Sequence, residues 1–223
     1  MKIQTLSILI LFIFSAFLCA NYNNTDALIE TPELIEGIVG VVNGDIITMR
    51  DIGLELIIEG KINKKDVDIY EVLNRIIEDK LIYGEAMKYS SVIKEADLSV
   101  EKEYSSLIKM YGNEEKLKEI IFLLGTNLSS LYERLRQKKI IFQYLNTIIY
   151  ASISYDIASL KGFYRDQVGA AEYDENYFYE NLDKIKSEYV RAKSKEYYKN
   201  YISALKNVAE IEIDEEMVKF LKK

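Results

Sequence analysis

The sequence predicts a mainly α-helical fold with a small β-sheet, formed by an N-terminal hairpin and one C-terminal strand. Asn43-Gly44 stands between the β-branched runs Ile38–Val42 and Ile46–Ile47, and this dipeptide favours the positive φ angles of a tight hairpin turn. Apolar residues recur at helical spacing through most of the remaining chain. Ala209–Ile213 alternates with period two and is the other strand candidate. A lone hairpin cannot bury its own apolar face, so we expect its first strand to pair with this segment.

The first 20 residues have the composition of a secretory signal peptide, with Lys2 ahead of an apolar run from Leu6 to Leu18. Cleavage after Ala20 is the predicted processing event, and it implies a periplasmic or otherwise extracytoplasmic location. Two alternatives remain open: a lipoprotein signal with Cys19 as the lipidated residue, and an uncleaved anchor helix. Residues 21–36 are polar and acidic and predict a flexible leader.

Residues 37–223 are predicted to form one helical domain, whose closing helix and strand occupy about 175–213. Thr48 and Asp51 have the spacing of a capping box, so a helix follows the hairpin at once. The clearest amphipathic stripe belongs to the helix predicted at 69–89. The other predicted helices are 49–59, 97–111, 114–124, 128–150, 154–168, 175–208 with a kink considered near 182–186, and 215–221.

The long helix predicted at 128–150 carries a basic run from Arg134 to Lys139. We interpret this run as a solvated face, with orientation of acidic clients or anionic lipid headgroups as the alternative role. The residues predicted to point inward are Leu128, Leu131, Leu135, Phe142, Leu145 and Ile149.

The composition excludes several classes of function. The chain has no histidine, which removes histidine general bases, Ser-His and Cys-His nucleophiles and most zinc sites. Its net charge of -7 provides no general attraction for nucleic acid. The single cysteine rules out an intrachain disulfide. We therefore predict no enzymatic activity, no cofactor, no metal and no nucleic-acid partner, with membrane contact only if Cys19 is lipidated.

Several stretches of this sequence resemble the core of the SurA-type periplasmic chaperones. They are IVGVVNGDIITMRDI at 38–52, EVLNRIIEDKLIYGEAMKYS at 71–90, and the run 92–145, where helix, Gly, short helix, Gly and long basic helix follow in order. The stretch YYKNYISALKNVAEIEI at 197–213 resembles the helix and strand that close that core. The resemblance covers most of the chain after the leader. It implies a helical chaperone fold that binds unfolded, aromatic-rich polypeptide segments.

The sequence departs from that family at one place. The family commonly carries parvulin prolyl-isomerase domains inserted before the closing helix, whereas only about 15 residues span Val168 to Leu182 here. A folded domain needs roughly 50 residues or more, and the parvulin active site typically uses histidines. The resemblance therefore implies the chaperone fold without isomerase activity.

Aromatic and Met side chains are the candidates for client binding, because they gain affinity from area burial without demanding one sequence. For Phe122 and Phe142 we favour the alternative that they are ordinary core residues. A second group brackets the short connection before the closing helix, where the alternative is that the rings fasten this connection onto the bundle. The candidates are Met110, Tyr111, Phe122, Tyr132, Phe142 and Tyr144 in the first group, and Phe163, Tyr164, Tyr173, Tyr177, Phe178 and Tyr179 in the second.

The functional hypothesis from these observations is an exported, ATP-independent chaperone-like protein that binds unfolded or outer-membrane-bound polypeptides. Its expected partners are unfolded or nascent envelope polypeptides. One alternative is an envelope assembly subunit with a single fixed partner. A peptidyl-prolyl isomerase is a further alternative, which the missing domain and histidines disfavour. Asn43 and Gly44 are assigned a structural role in the turn.

Overall fold

A computed structural model describes residues 37–89 and 98–221. The predicted signal peptide, its alternative at Cys19 and the leader at 21–36 lie outside the described residues. The described chain has the predicted fold class, mainly α with a small antiparallel sheet. The strands are β1 (Ile38–Val42), β2 (Asp45–Thr48) and β3 (Ile211–Ile213). The helices are α1 (Met49–Ile58), α2 (Ile69–Lys88), α3 (Glu101–Tyr111), α4 (Glu114–Leu123), α5 (Leu128–Ser152), α6 (Ile157–Val168), α7 (Glu175–Glu180), α8 (Leu182–Val208) and α9 (Glu215–Phe220).

The sheet joins the two ends of the described chain, as predicted. Its strand order is β2-β1-β3, and both pairings are antiparallel. Asn43 and Gly44 have φ angles of 51° and 87°, which confirms the tight turn. Asn43 also holds the closing segment, because its backbone N–H donates to the Glu210 carbonyl at 2.8 Å and its Oδ1 accepts from the Glu210 N–H at 2.9 Å.

The apolar face of the sheet is covered by α2 and by the last helix, α9. Val39, Val42 and Ile47 are buried in one cluster with the stripe of α2, and Val218 of α9 is fully buried in the same cluster. The capping box at the start of α1 is present, since Thr48 and Asp51 hydrogen-bond each other's backbone N–H groups. The predicted stripe of α2 is buried throughout, at Ile69, Val72, Leu73, Ile76, Ile77, Leu81 and Ala86.

Among the described residues, three further apolar clusters hold the helices together. The second joins α1, α3, α4 and α5, the third joins α2, α5 and α8, and the fourth joins α6, α7 and the beginning of α8. Helix α8 has 27 residues and is therefore about 40 Å long. It contributes Ile185 to the fourth cluster and Ile202 to the third. We call residues 157–189, which surround the fourth cluster, the tyrosine lobe.

Some predicted helix boundaries were wrong. Helix α3 begins at Glu101 and not near 97. Helix α6 begins at Ile157 and not at 154, because the Asp156 side chain accepts from the Ser159 N–H at 2.7 Å and caps the helix there. The helix predicted at 175–208 is divided at Asn181, just before the stretch where a kink was considered. The Asn181 side chain donates to the Tyr177 carbonyl at 3.0 Å, so α7 ends on that residue. Within the described ranges, no helix is long and apolar enough to cross a membrane.

Replacing Gly44 with Val is expected to lower the free energy of unfolding by roughly 1 kcal/mol or more, because a β-branched residue is strained at positive φ. Chemical denaturation followed by circular dichroism measures the change. Asp45→Val, at the exposed first position of β2, is the matched control and should stay within about 0.5 kcal/mol of the unaltered protein. Equal stability of the two variants would show that the turn does not need glycine.

Candidate functional site

The first group of predicted client-binding residues is divided between the surface and the core. Three of them are largely exposed: Met110 at 54%, Phe122 at 78% and Phe142 at 65%. Tyr111 and Tyr132 are half-buried, at the edge of the second cluster. Tyr144 is buried in the third cluster. The structure therefore leaves the first three side chains accessible to a partner and places the last three in structural contacts.

Tyr111 and Tyr132 both brace the helices that surround α1. The Tyr111 hydroxyl donates to the Ile57 carbonyl at 2.8 Å, close to the end of α1, where the same carbonyl also accepts from the Gly60 N–H at 3.0 Å. Burial raises the pKa of Tyr111 to about 12, so the phenol stays neutral and keeps its proton for this bond. The Tyr132 ring lies 5.1 Å from the ring of Tyr104. These contacts explain both side chains without a ligand.

Tyr144 is the centre of a group of tyrosines between α2, α5 and α8. Its ring is stacked with Tyr89, with 6.0 Å between centroids. Its hydroxyl is 2.9 Å from that of Tyr201. Burial, followed by this hydrogen bond, raises the pKa of Tyr201 well above its ordinary value. Tyr144 therefore fixes α5 against its neighbours.

Phe122 and Phe142 are exposed, so the prediction that they are core residues was wrong. In α4 the buried residues are Leu117 and Ile121, and Phe122 lies about 100° further around the helix. In α5 the buried face includes Ile141, and Phe142 again lies one residue beyond it. Each ring therefore leaves most of its apolar area in contact with water.

The second group of candidates lies in the tyrosine lobe. Tyr164 and Phe178 are buried and form the fourth cluster with Leu160 and Ile185. Phe163 packs at the edge of this cluster, and its ring meets the ring of Tyr189 edge-on at 5.4 Å. The rings thus fasten α6 and α7 onto the beginning of α8. They form a small core of their own, apart from the clusters that hold the other helices.

The surface of the tyrosine lobe combines exposed rings with cations. Tyr177 and Tyr179 are 44% and 53% exposed. The Arg165 guanidinium lies 4.9 Å from the ring centre of Tyr173, and the Lys161 ammonium lies 4.9 Å from that of Tyr179. Cations over ring faces are attracted by the ring quadrupole. This surface therefore offers both aromatic and cationic contacts to a partner.

A buried cluster of charges was not predicted from the sequence. Arg134 was expected on a solvated face, but it is 8% exposed, so that prediction was wrong for this residue. Its guanidinium donates to Glu55 at 2.9 Å and to Asp79 at 2.6 Å. Lys138 donates to the same two carboxylates at 2.6 Å and 3.0 Å. The cluster joins α1, α2 and α5. The Arg136 side chain is 50% exposed, whereas those of Lys138 and Lys139 are 30% and 25% exposed.

The charge cluster has a structural role, because its charged groups form ion pairs and hydrogen bonds with one another. Glu55 is only 1% exposed. Burial alone would raise the pKa of its carboxyl group, but the charges and hydrogen bonds of Arg134 and Lys138 outweigh burial and lower the pKa. The carboxylate is therefore ionised and saturated by partners, which leaves it no free role as an acid or base.

Within the described parts of the chain, no group of three or more His, Cys, Asp or Glu side chains could hold a metal ion. Comparison with known proteins finds no matching family model and no significant match among curated proteins. The likeness to the SurA-type chaperone core consequently rests on the sequence stretches given above.

Proposed function

We propose that this protein is an exported, ATP-independent chaperone-like protein of the SurA type, which binds unfolded or nascent polypeptides of the cell envelope. The observation that carries the proposal is the exposure of Phe122 and Phe142. Fully burying a Phe side chain is worth about 1.5–3 kcal/mol relative to leaving it exposed. A client that supplies apolar side chains gains this free energy without a defined sequence.

The way in which the fold closes, by pairing of β1 with β3, supports the proposal. The hairpin, the helix order and the final strand follow the sequence stretches that resemble the chaperone core. Six residues, 169–174, connect α6 to α7 at the place where the family commonly carries an isomerase domain. The proposed activity is therefore binding and release of clients, with no covalent step.

The test uses the mature protein, residues 21–223, and a peptide that contains one Trp among other aromatic residues. The chain itself has no Trp, so all Trp fluorescence comes from the peptide and reports its binding. We expect the unaltered protein to bind this peptide and to suppress the aggregation of a chemically unfolded client. In the double variant Phe122→Ser/Phe142→Ser, we expect the dissociation constant to rise about tenfold or more, given the apolar area removed.

Val208→Ser is the matched control, because Val208 is 85% exposed and lies on α8 rather than among the candidate residues. It should bind and protect the client like the unaltered protein. The proposal is wrong if the unaltered protein neither binds the peptide nor suppresses aggregation.

A fixed partner is the second candidate function, and the tyrosine lobe favours it. This lobe has a separate apolar core and contains no Met, whereas surfaces that accept many partners typically use adaptable Met side chains. Recovery of one stoichiometric partner on co-purification, in place of many weakly bound polypeptides, would favour this function.

A further inference from the structure

The Asn43-Gly44 turn between β1 and β2 contains a dipeptide that can modify itself. The backbone nitrogen of Gly44 can attack Cγ of the Asn43 side chain, because glycine has no Cβ atom to obstruct the approach. Both residues are exposed, and a Cβ atom on Gly44 would meet nothing within 4 Å. Water therefore reaches the turn, and the turn supplies every protein atom that the reaction needs.

The reaction is deamidation, which proceeds through a cyclic imide and consumes water. The Gly44 nitrogen forms a bond to Cγ of Asn43 and gives up its proton, the Cγ–Nδ2 bond breaks, and Nδ2 leaves as ammonia. Water then opens the imide. Cleavage at Cγ gives aspartate, whereas cleavage at the backbone carbonyl carbon gives isoaspartate, in which the main chain runs through Cβ and Cγ.

Glu210, the residue before β3, holds Asn43 in a conformation that opposes this reaction. The Glu210 N–H donates to Asn43 Oδ1 at 2.9 Å, and the Asn43 N–H donates to the Glu210 carbonyl at 2.8 Å. Ring closure would change ψ of Asn43 from the roughly +30° of a type I′ turn and turn the carboxamide away from Glu210. The hydrogen bond to Oδ1 and the reaction therefore exclude each other.

The segment that carries Glu210 has features of a chain that opens locally. Val208, at the end of α8, is 85% exposed. Strand β3 has only three residues, and its Ile211 and Ile213 are half-buried. Segments with few buried contacts open at a lower cost in free energy than the core does. Each opening at Glu210 frees the Asn43 carboxamide.

We propose that Asn43 is a self-modification site that the closing strand protects. Asn43 is stable while Glu210 holds its carboxamide, and it deamidates when this segment opens. The product weakens the closure, because it places a carboxylate beside Glu210 and Asp45, where like charges repel. The isoaspartate form also lengthens the main chain of a two-residue turn that sets the strand register. This inference is independent of the proposed polypeptide binding.

The test follows Asn43 in the mature protein, residues 21–223, during incubation in mildly alkaline buffer. Peptide mass spectrometry detects the exchange of NH₂ for OH, and electron-transfer fragmentation distinguishes isoaspartate from aspartate. Glu210→Pro removes the N–H that holds Oδ1 but keeps the carbonyl that accepts from Asn43. We expect about fivefold faster deamidation in this variant, the effect of losing one ordinary hydrogen bond. Glu210→Ala is the matched control, because it keeps the N–H and should react like the unaltered protein.

A second measurement keeps the test decisive if Glu210→Pro does not fold, which circular dichroism checks. In urea above the unfolding transition, Asn43 of the unaltered protein should deamidate at least about tenfold faster than in the folded state. Asn113 is the internal reference. It is also exposed, but Glu114 follows it, and the side chain of that residue obstructs the same attack.

Equal deamidation rates of Asn43 in the folded and the unfolded protein would overturn the inference, and so would equal rates in folded Glu210→Pro and Glu210→Ala. The effect of the product is measured by hydrogen exchange of the isoaspartate form, separated by anion exchange. The Asp214 N–H, which donates to the Val39 carbonyl at 2.9 Å, should exchange at least about tenfold faster in that form. Unchanged exchange would show that the product does not weaken the closure. None of these results depends on polypeptide binding, so this inference and the proposed function fail separately.

Discussion

Replacing Arg134 with Met is expected to lower the free energy of unfolding by about 3 kcal/mol. The variant leaves Glu55, which is 1% exposed, with Lys138 as its remaining cationic partner. Breaking a buried ion pair from one side typically costs about 3–5 kcal/mol, and the lower end applies because Lys138 stays. Urea denaturation followed by circular dichroism measures the loss.

Arg136→Met is the matched control for this prediction. The Arg136 side chain is 50% exposed and lies 3.8 Å from Glu133, so its removal should change stability by less than about 1 kcal/mol. The double variant Glu55→Met/Arg134→Met should recover stability relative to Arg134→Met, because it also removes the buried carboxylate that has lost one of its two cationic partners. Equal stability of Arg134→Met and Arg136→Met would contradict the structural role of the cluster.

The stability loss in Arg134→Met is expected to depend on pH. Because the pKa of Glu55 is lowered from its ordinary value of 4.5, Glu55 contributes stability above that value and loses it as pH falls through the folded-state pKa. In Arg134→Met, burial still raises the pKa of Glu55, while less positive charge is present to lower it. The stability difference between the two proteins should therefore be largest at neutral pH and shrink on acidification, which denaturation curves at several pH values would show.

Replacing Gly40 with Ala is expected to destabilise the protein by about 1–3 kcal/mol, the usual cost of overpacking. Gly40 lies in the central strand β1, opposite Ile47 of β2 and Ile213 of β3. A Cβ atom there would stand 2.7 Å from the Glu212 carbonyl oxygen. Because that oxygen belongs to the backbone of β3, relief requires the closing strand to move. Thermal and chemical unfolding both measure the effect.

Gly84→Ala is the control of opposite sign. Gly84 lies inside α2, and a Cβ atom there would meet nothing within 4 Å. The substitution should stabilise the protein by about 0.5–1 kcal/mol, because Ala loses less conformational entropy in a helix than Gly does. If Gly40→Ala and Gly84→Ala stabilise the protein to the same degree, β1 and β3 do not approach each other as closely as described at Gly40.

Local sequence signals were sufficient to predict the hairpin, the capping box of α1 and the apolar stripe of α2. Asn43-Gly44 favours positive φ angles through its own chemistry, and Thr48 and Asp51 satisfy each other's backbone within one turn. The pairing of β1 with β3 was predictable for a different reason. An apolar strand requires a partner, and few other segments of this chain alternate as 209–213 does.

Tertiary contacts decided which residues of α5 are buried. Periodicity places Phe142 on an apolar stripe of α5, yet Arg134 is buried and Phe142 is exposed. The reason is that a basic helix face can be buried when Glu55 and Asp79 stand opposite it, 79 and 55 residues away in sequence. Nothing in the local sequence reports that complementarity. The core of the tyrosine lobe depends in the same way on how α6 and α8 pack, because spacing along one helix does not determine how two helices meet.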